Sequence, residues 1–267
     1  MSNEMSSREI QFRHANSGDL SAIEDLLRNN DLPTEGIKEA LAHCLVAETQ
    51  GQIIGAIALE PKGRNGLMRS LVVAGDHQGH KLGTALSSKI VNAARLLGIE
   101  RLYLLTTSAE AFFAPTGYRV VEKNRIPEAI RDTEEFEKLC PHNAVCMMRD
   151  IRKEPIHATN DLLQMQPTVP GARLWAVSLK HTMLTCFEVE PNSRFETHSH
   201  ESEQITMVIS GVLFFQVGQV IHRVGPGEVM AIPASVQHAV WTESEAARAV
   251  DAWSPIMAKY DSGQQQG

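Results

Sequence analysis

The chain has 267 residues and a formal net charge of −7, with 43% hydrophobic and 21% charged residues. That length points to two domains, and the acidic balance argues against a nucleic-acid surface, which is ordinarily basic. No run of 18 apolar residues occurs, so no transmembrane helix or membrane partner is expected.

The polar start MSNEMSSREIQ lacks the apolar core of a secretory signal. Cys44, Cys140, Cys146 and Cys186 are widely spaced with no CxxC pair. Together these features predict a reduced, cytoplasmic protein. Ile10 to His14 reads as a first strand. In SAIEDLLRNN and the leucine before it, Leu20, Ile23, Leu26 and Leu27 recur at helical spacing. HCLVAET and QIIGAIALEP form a hairpin about Gln50–Gly51. GLMRSLVV is a further strand, followed by a glycine-containing turn and the helix LGTALSSKIVNAARLLG. That helix puts Leu82, Leu86, Ile90, Ala93 and Leu97 on one face and ends at Gly98. RLYLLTT is a buried type of strand, with a brief helix around Ala109 to Ala114 and strands near Tyr118–Val121 and Ala144–Arg149.

After Asp150 the helical period fades. IRKEPIHATNDLLQMQPTVPG carries three prolines and mixed polarity, and reads as a linker holding a strand or short helix. From Ala172 on there are only short strands with Gly and Pro between them: LWAVSLK, MLTCFEVE, RFETHSH, QITMVISG, VLFFQV, QVIHRVG, VMAIP, HAVWTES and RAVDAWS. This is the pattern of a small barrel or sandwich. The expected domains are 1–149, a linker 150–165, an all-β domain 166–258 and a disordered tail 259–267.

The segment THSHESEQ sets His198 and His200 two apart, a spacing that shares one face of a strand. Gln204 starts the next strand, and His238 follows the turn IPASVQ. Three imidazoles and an amide oxygen can close on one divalent transition metal ion, whose identity the ligands leave open. PNSRFETHSHESEQITMVISG and GPGEVMAIPASVQHAV closely resemble the two motifs of the cupin family. Asn192 stands where that family has Gly, and Gln204 where it has Glu. The resemblance covers almost the whole second half and implies a double-stranded β-helix barrel with His198, His200, Gln204 and His238 as metal ligands. Asp251 and Trp253 alternate onto one face of a late strand; the resemblance makes that face a possible substrate contact, and otherwise Trp253 is core and Asp251 a capped strand end. Arg194, Arg223 and Arg248 are candidates for pairing a substrate carboxylate.

In the first half, the turn Gln78–Gly83 sits at a helix N-terminus, where free N–H groups and the helix dipole favour a pyrophosphate. The order of elements here, with AEAFFAPTGYRVV, resembles the GNAT family of acetyl-coenzyme A transferases. The family loop reads Gln/Arg-x-x-Gly-x-Gly/Ala, so Lys81 replaces the central Gly. The resemblance implies that Leu71, Val72, Val73, Gln78, Gly79, Lys81, Leu82, Gly83 and Thr84 hold acetyl-CoA. It also implies that a backbone N–H near Leu71 to Val73 holds the acyl oxygen. Phe113 occupies the place of the tyrosine that protonates the leaving thiolate in many relatives, and has no proton to give. LMRSLVV, FFAPTGYR and IPEAIRDTEEFEKLCPHNAVCM look like the arsenic-resistance branch of these N-acetyltransferases. Cys140 and Cys146 are structural or ligands for a soft thiophile. Glu60, Arg69 and His77 are near enough in sequence to act as the general base, and none is singled out.

The chain thus reads as α+β, a GNAT-like mixed sheet with flanking helices followed by a cupin barrel. Three functions remain open. One is an N-acetyltransferase acting on a small amine or amino-acid-like acceptor, joined to a metal-binding cupin. Another is a small-molecule or metal sensor with a degenerate GNAT half. A third is a cupin isomerase, lyase or dioxygenase. A homodimer pairing through barrel sheet edges is expected.

Overall fold

The computed structural model describes residues 10–136 and 144–261. Cys140, residues 1–9 and tail residues 262–267 lie outside the described residues. The chain divides into two compact units, Met1–Leu162 and Leu163–Gly267.

The first unit is one seven-stranded sheet with helices on its faces. Its elements are β1 (Gln11–His14), α1 (Leu20–Arg28), β2 (Cys44–Thr49), β3 (Gln52–Lys62), β4 (Asn65–Val73), α2 (Leu82–Leu96), β5 (Arg101–Thr106), α3 (Glu110–Phe113), β6 (Arg119–Val120), α4 (Glu128–Arg131) and β7 (Val145–Asp150). The strand order is β1-β2-β3-β4-β5-β7-β6. The β2–β3 turn forms where expected: Gln50 and Gly51 both have positive φ, as a tight hairpin requires. Leu82, Leu86 and Ile90 of α2 bury against the sheet, each contributing about 1.5–3 kcal/mol. Gly55 permits this approach, because a Cβ there would meet Leu86 Cδ1 at 2.9 Å. On the other face α1 buries Ile23 and Leu27 against Val46, Ala56 and Ala58.

Two features of this sheet prepare a site. First, β4 and β5 run parallel but pair only from Asn65 to Leu67 against Arg101 to Tyr103. Beyond that they diverge, opening a gap along the second half of β4. Second, β4 is bulged: Ala56 pairs with Val72 and Ala58 with Arg69, leaving Ser70 and Leu71 opposite Ile57, with Ser70 at φ +55°.

The stretch read as a linker is ordered against this unit. Ile151 and Leu162 are buried in its core, Lys89 pairs with Asp161 at 2.7 Å, and the His157 N–H donates to Asn92. Short helix α4 was not foreseen; Ile130 anchors it among Leu67, Tyr103 and Cys146.

The second unit contains no α-helix among its described residues. Its strands are β8 (Gln166–Pro167), β9 (Ala172–Ser178), β10 (Met183–Val189), β11 (Arg194–His198), β12 (Glu203–Ser210), β13 (Leu213–Val217), β14 (Val220–Val224), β15 (Val229–Ile232), β16 (His238–Trp241) and β17 (Ala247–Ser254). They form a six-stranded sheet, β15-β12-β17-β10-β9-β8, and a four-stranded sheet, β11-β16-β13-β14. All the pairings are antiparallel. Between the sheets lie Val208, Leu213, Phe215, Val240 and Ala249, with Leu174, Phe187 and Trp253 beside them. Tyr260, placed in the tail by sequence, instead packs edge-on against Phe187 and Trp253. Gly211 closes the β12–β13 turn at φ +71°, where a Cβ would collide with the Ala246 carbonyl oxygen.

Candidate functional site

In the first unit the candidate site lies along the unpaired end of β4 and the start of α2. Ala74 N–H donates to Ile54 O, so by the alternation of an antiparallel ladder the next residue back, Val73, turns its own N–H and C=O away from β3. The Val73 carbonyl is taken by the Gln78 side-chain amide at 2.9 Å, and that amide also reaches Asn30 Oδ1 at 3.3 Å. The Val73 N–H faces the gap. Gln78 therefore braces the loop with its side chain.

Gly79 and Lys81 both have positive φ, +79° and +64°. Lys81 adopts the left-handed conformation a glycine would take there, and caps α2 without a side-chain hydrogen bond. The first intrahelical bond is Ala85 N–H to Lys81 O, leaving the N–H groups of Leu82, Gly83 and Thr84 without helical partners. Gln78 to Lys81 and Thr84 are exposed. Leu71 and Val73 pack partly buried toward α2, whereas the Val72 side chain points into the opposite core, so only its backbone serves the gap. This backbone fits a pyrophosphate, and no side chain blocks it at Gly79, where an added Cβ would meet nothing within 4 Å. A non-glycine left-handed residue costs about 1 kcal/mol. Lys81→Gly is accordingly expected to stabilise the first unit by about 0.5–1 kcal/mol, read as a rise in its thermal midpoint.

Phe113 is buried edge-on against Tyr118. The Tyr118 hydroxyl lies 3.6 Å from Met68 Sδ, and burial raises its pKa well above the ordinary phenol range. Neither ring offers an acid. Of the base candidates, Arg69 and Glu60 are spent on each other at 2.6 Å. His77 is half-buried, 3.7 Å from the Asp76 carboxylate. Arg69 also pairs with Glu135 at 2.6 Å and donates to the Glu35 carbonyl at 2.5 Å, a cluster that sequence distance concealed. Burial raises the Glu135 pKa, with Arg69 opposing.

In the second unit the four ligand candidates converge. His198 of β11 and His238 of β16 are direct cross-strand partners. His200 lies past the end of β11, so strand alternation does not explain its position; its Nδ1 is held by Ser202 O at 2.6 Å. The other two rings are anchored the same way, His198 Nδ1 to Glu196 O at 2.7 Å and His238 Nδ1 to Val236 O at 2.9 Å. A proton on each Nδ1, donated to a carbonyl, leaves every Nε2 lone pair free. Ligand atoms of the three rings lie within 4.8 Å of one another. His238 Nε2 is buried without a hydrogen-bond partner, and burial lowers that ring's pKa, favouring the neutral form a metal needs.

Gln204 comes from the opposite sheet, is buried, and puts Oε1 3.2 Å from His200 Nε2. Its Nε2 donates to Thr206 Oγ1 at 2.9 Å and Asp251 Oδ2 at 3.2 Å, which turns the amide oxygen toward the imidazoles. Glu203, the neighbouring carboxylate, points outward. The donor set fits a divalent transition ion. A cavity of about 40 Å³ adjoins it, lined by Phe195, Phe215, Thr206, Asp251 and Trp253 among others. Asp251 lies within β17, not at a strand end, and burial pushes its carboxyl up to about 7 against hydrogen bonds from Thr206 and Gln204.

The arginine candidates fall elsewhere. Arg194 stacks 4.9 Å from the Trp241 ring, Arg223 is exposed on β14, and Arg248 donates to Cys186 Sγ. None lines the cavity. Asn192, at the motif's glycine position, has φ +56°, the conformation glycine would supply.

A mixed sheet that splays beside a helix N-terminus, and an antiparallel double sheet with an inward histidine cluster, define two protein classes. Residues 40–120 match the acetyltransferase (GNAT) domain family and residues 185–253 the cupin domain family. The chain therefore joins a GNAT acetyltransferase domain to a C-terminal cupin domain. It is 28% identical over 133 residues to an amino-acid acetyltransferase of Neisseria meningitidis serogroup A, covering 46% of this chain and 30% of that one. Among solved structures, N-acetylglutamate synthase from Neisseria gonorrhoeae, complexed with coenzyme A and N-acetyl-glutamate, aligns at TM-score 0.48 and 24% identity, over 56% of this chain and 36% of that one. KdgF from Halomonas sp. aligns at TM-score 0.35 and 22% identity, over 37% of this chain and 92% of that one. The chain spans only 21% to 30% of the length of the curated relatives it matches. No helix among the described residues is long and apolar enough to cross a membrane.

Proposed function

We propose that the first unit is an N-acetyltransferase that moves an acetyl group from acetyl-CoA to the amine of a small amino-acid-like acceptor. The observation that carries this reading is the placing of the Val73 N–H and the partnerless N–H groups of Leu82, Gly83 and Thr84 on one braced loop. The bound thioester would supply an activated acyl group. The helix N-terminus would take its phosphates, and the Val73 N–H would donate to the acyl oxygen as charge develops there. With Phe113 apolar and Tyr118 sealed, neither ring would protonate the departing thiolate, which would take a proton from water as the attacking amine sheds one to solvent; a thiol with an ordinary pKa of about 8.5 needs little help. The amino-acid acceptor rests on the family of the curated relatives. Assignment to the arsenic-resistance branch rests on the LMRSLVV, FFAPTGYR and IPEAIRDTEEF stretches.

The second unit is read as holding one divalent transition metal ion through His198, His200, His238 and Gln204. A bound ion would act there as a Lewis acid. All four donors are neutral, so the ion keeps its full charge toward whatever enters beside Asp251.

Calorimetric titration of the full chain with acetyl-CoA, paired with a thiol-release assay over a panel of amino acids, tests the first reading. Heat at micromolar ligand with thiol release is expected. No heat at about 100 µM protein overturns it. Heat without turnover selects a second reading that the apolar Phe113 favours, in which this half binds acetyl-CoA without using it.

A further inference from the structure

The cavity beside the histidine cluster, about 40 Å³, has room for a few water molecules and not for an organic ligand. Anything larger needs a wall to move. Every wall residue except Tyr260 lies on a strand, from β10 to β13, on β16 or on β17, and a strand gives way only by losing its ladder bonds. Tyr260 is held differently. It ends a single 3-10 turn, Ala258–Tyr260. The backbone N–H groups of Tyr260 and Asp261 donate within this segment, to Met257 O at 2.9 Å and Ala258 O at 3.2 Å, and not to a strand. The segment grips the barrel through side chains. The Tyr260 ring centre lies 5.6 Å from that of Phe187 and 6.0 Å from that of Trp253, and Ile256 and Met257 pack beside them. Ser178 Oγ donates to Asp261 Oδ1 at 2.8 Å. Trp253 in turn lies 5.2 Å from the His200 ring, so Tyr260 reaches the cluster through one intervening ring.

We propose that residues 256–261 form a lid on this cavity, with Tyr260 as its inner wall and the Ser178–Asp261 hydrogen bond as its latch. Local opening is easiest where few backbone bonds tie a segment down. Here, breaking one side-chain bond and lifting one ring clears the wall without disturbing either sheet. The opened space is bounded by Phe187, Phe195, Phe215 and Trp253. It suits a small organic molecule with an apolar body and one group that reaches the imidazoles. The proposal rests on the reading of the barrel as a ligand site but not on a bound ion, so its test uses chelator-treated protein and metal content is judged separately.

Thiol labelling of the full chain decides. Ala249→Cys places a thiol on the cavity wall, at a position 1% exposed. Native Cys186 on β10 is also 1% exposed but does not line the cavity, so it reports opening of the barrel as a whole. Modification by methyl methanethiosulfonate, read peptide by peptide by mass spectrometry, gives the ratio of the two rates. Adding Ser178→Ala cuts the latch and leaves the wall in place. It is expected to raise the rate at position 249 by roughly twofold to tenfold, the range for losing one hydrogen bond, with Cys186 unchanged. Tyr260→Ala should raise it at least tenfold, and Tyr260→Phe, which keeps the ring, should stay near the parent. Should Ala249→Cys fail to fold, Val189→Cys on the same wall carries the test. A ratio unmoved by Ser178→Ala overturns the lid, even where Tyr260→Ala moves it, because the wall is then static. Acceleration of Cys186 in step with position 249 overturns it as well.

Discussion

Replacing His238 by alanine empties the proposed metal centre: metal content measured by mass spectrometry falls from near one ion per chain to below a tenth. His238 is the buried member of the cluster, and its Nε2 has no hydrogen-bond partner in the folded chain. An orphaned buried acceptor costs about 1–3 kcal/mol, and a metal ion removes that cost by occupying the lone pair. A ligand present at a hundred times its Kd stabilises the fold that holds it by about 2.7 kcal/mol. Chelation should therefore lower the melting midpoint of the wild-type second unit and leave that of His238→Ala unmoved. The difference between plus-metal and minus-metal melts isolates binding from the cavity the substitution leaves. Equal metal content in the two proteins would remove the centre from consideration.

Arg69→Met is expected to cost the first unit about 3–5 kcal/mol, the range for removing one partner of a buried ion pair. The Arg69 side chain is 1% exposed, and its partners Glu60 and Glu135 are 19% and 18%. The loss leaves Glu135 without its ion-pair partner and Glu60 with Lys62 alone, at 3.9 Å. It also frees the turn at Gly36, whose φ of +74° and missing side chain make room for Nη1. The sign with pH follows. Burial already raises the Glu135 pKa against the pull of Arg69, so removing Arg69 raises it further above the unfolded value. The folded variant then binds more protons than the unfolded chain, and its stability falls as pH rises from about 4 toward 7. Urea melts of wild type and variant at pH 4.5 and 7 measure this as a deficit that grows with pH. A deficit independent of pH would mean that packing, and not charge, is what Arg69 supplies.

Much of the architecture was legible because local signals and pattern agreed. The paired positive-φ residues at Gln50–Gly51 and the 3.6-residue period of α2 predict their elements directly, and the His-x-His segment with its glycine-bounded second motif marks the barrel. What sequence missed was phase and distance. With Asp251 and Trp253 facing inward on β17, Arg248 must face outward, so counting by twos excludes it from the cavity. Arg194 escapes such counting because β11 is irregular between Phe195 and His198. The alternation of β12 was plain in EQITMVIS, but its direction depends on Gln204 facing in, which a one-residue slip would reverse. The Arg69 cluster draws on Glu35, Glu60 and Glu135, which only the folded sheet brings together. At Lys81 and Asn192 the departures from glycine changed the side chain and kept the backbone, something a motif comparison cannot see.

The brace between Gln78 and the end of β4 has one more consequence. It joins the seat for a diphosphate and the donor for an acyl oxygen into a single stiff caliper, set by strand geometry and not by a mobile flap. An acyl carrier whose arm matches the caliper engages both jaws at once. Acetyl phosphate, which has no arm, or a truncated thioester without a diphosphate, touches only one jaw. On the proposed reading, the protein selects its acetyl donor by length before any side chain inspects it.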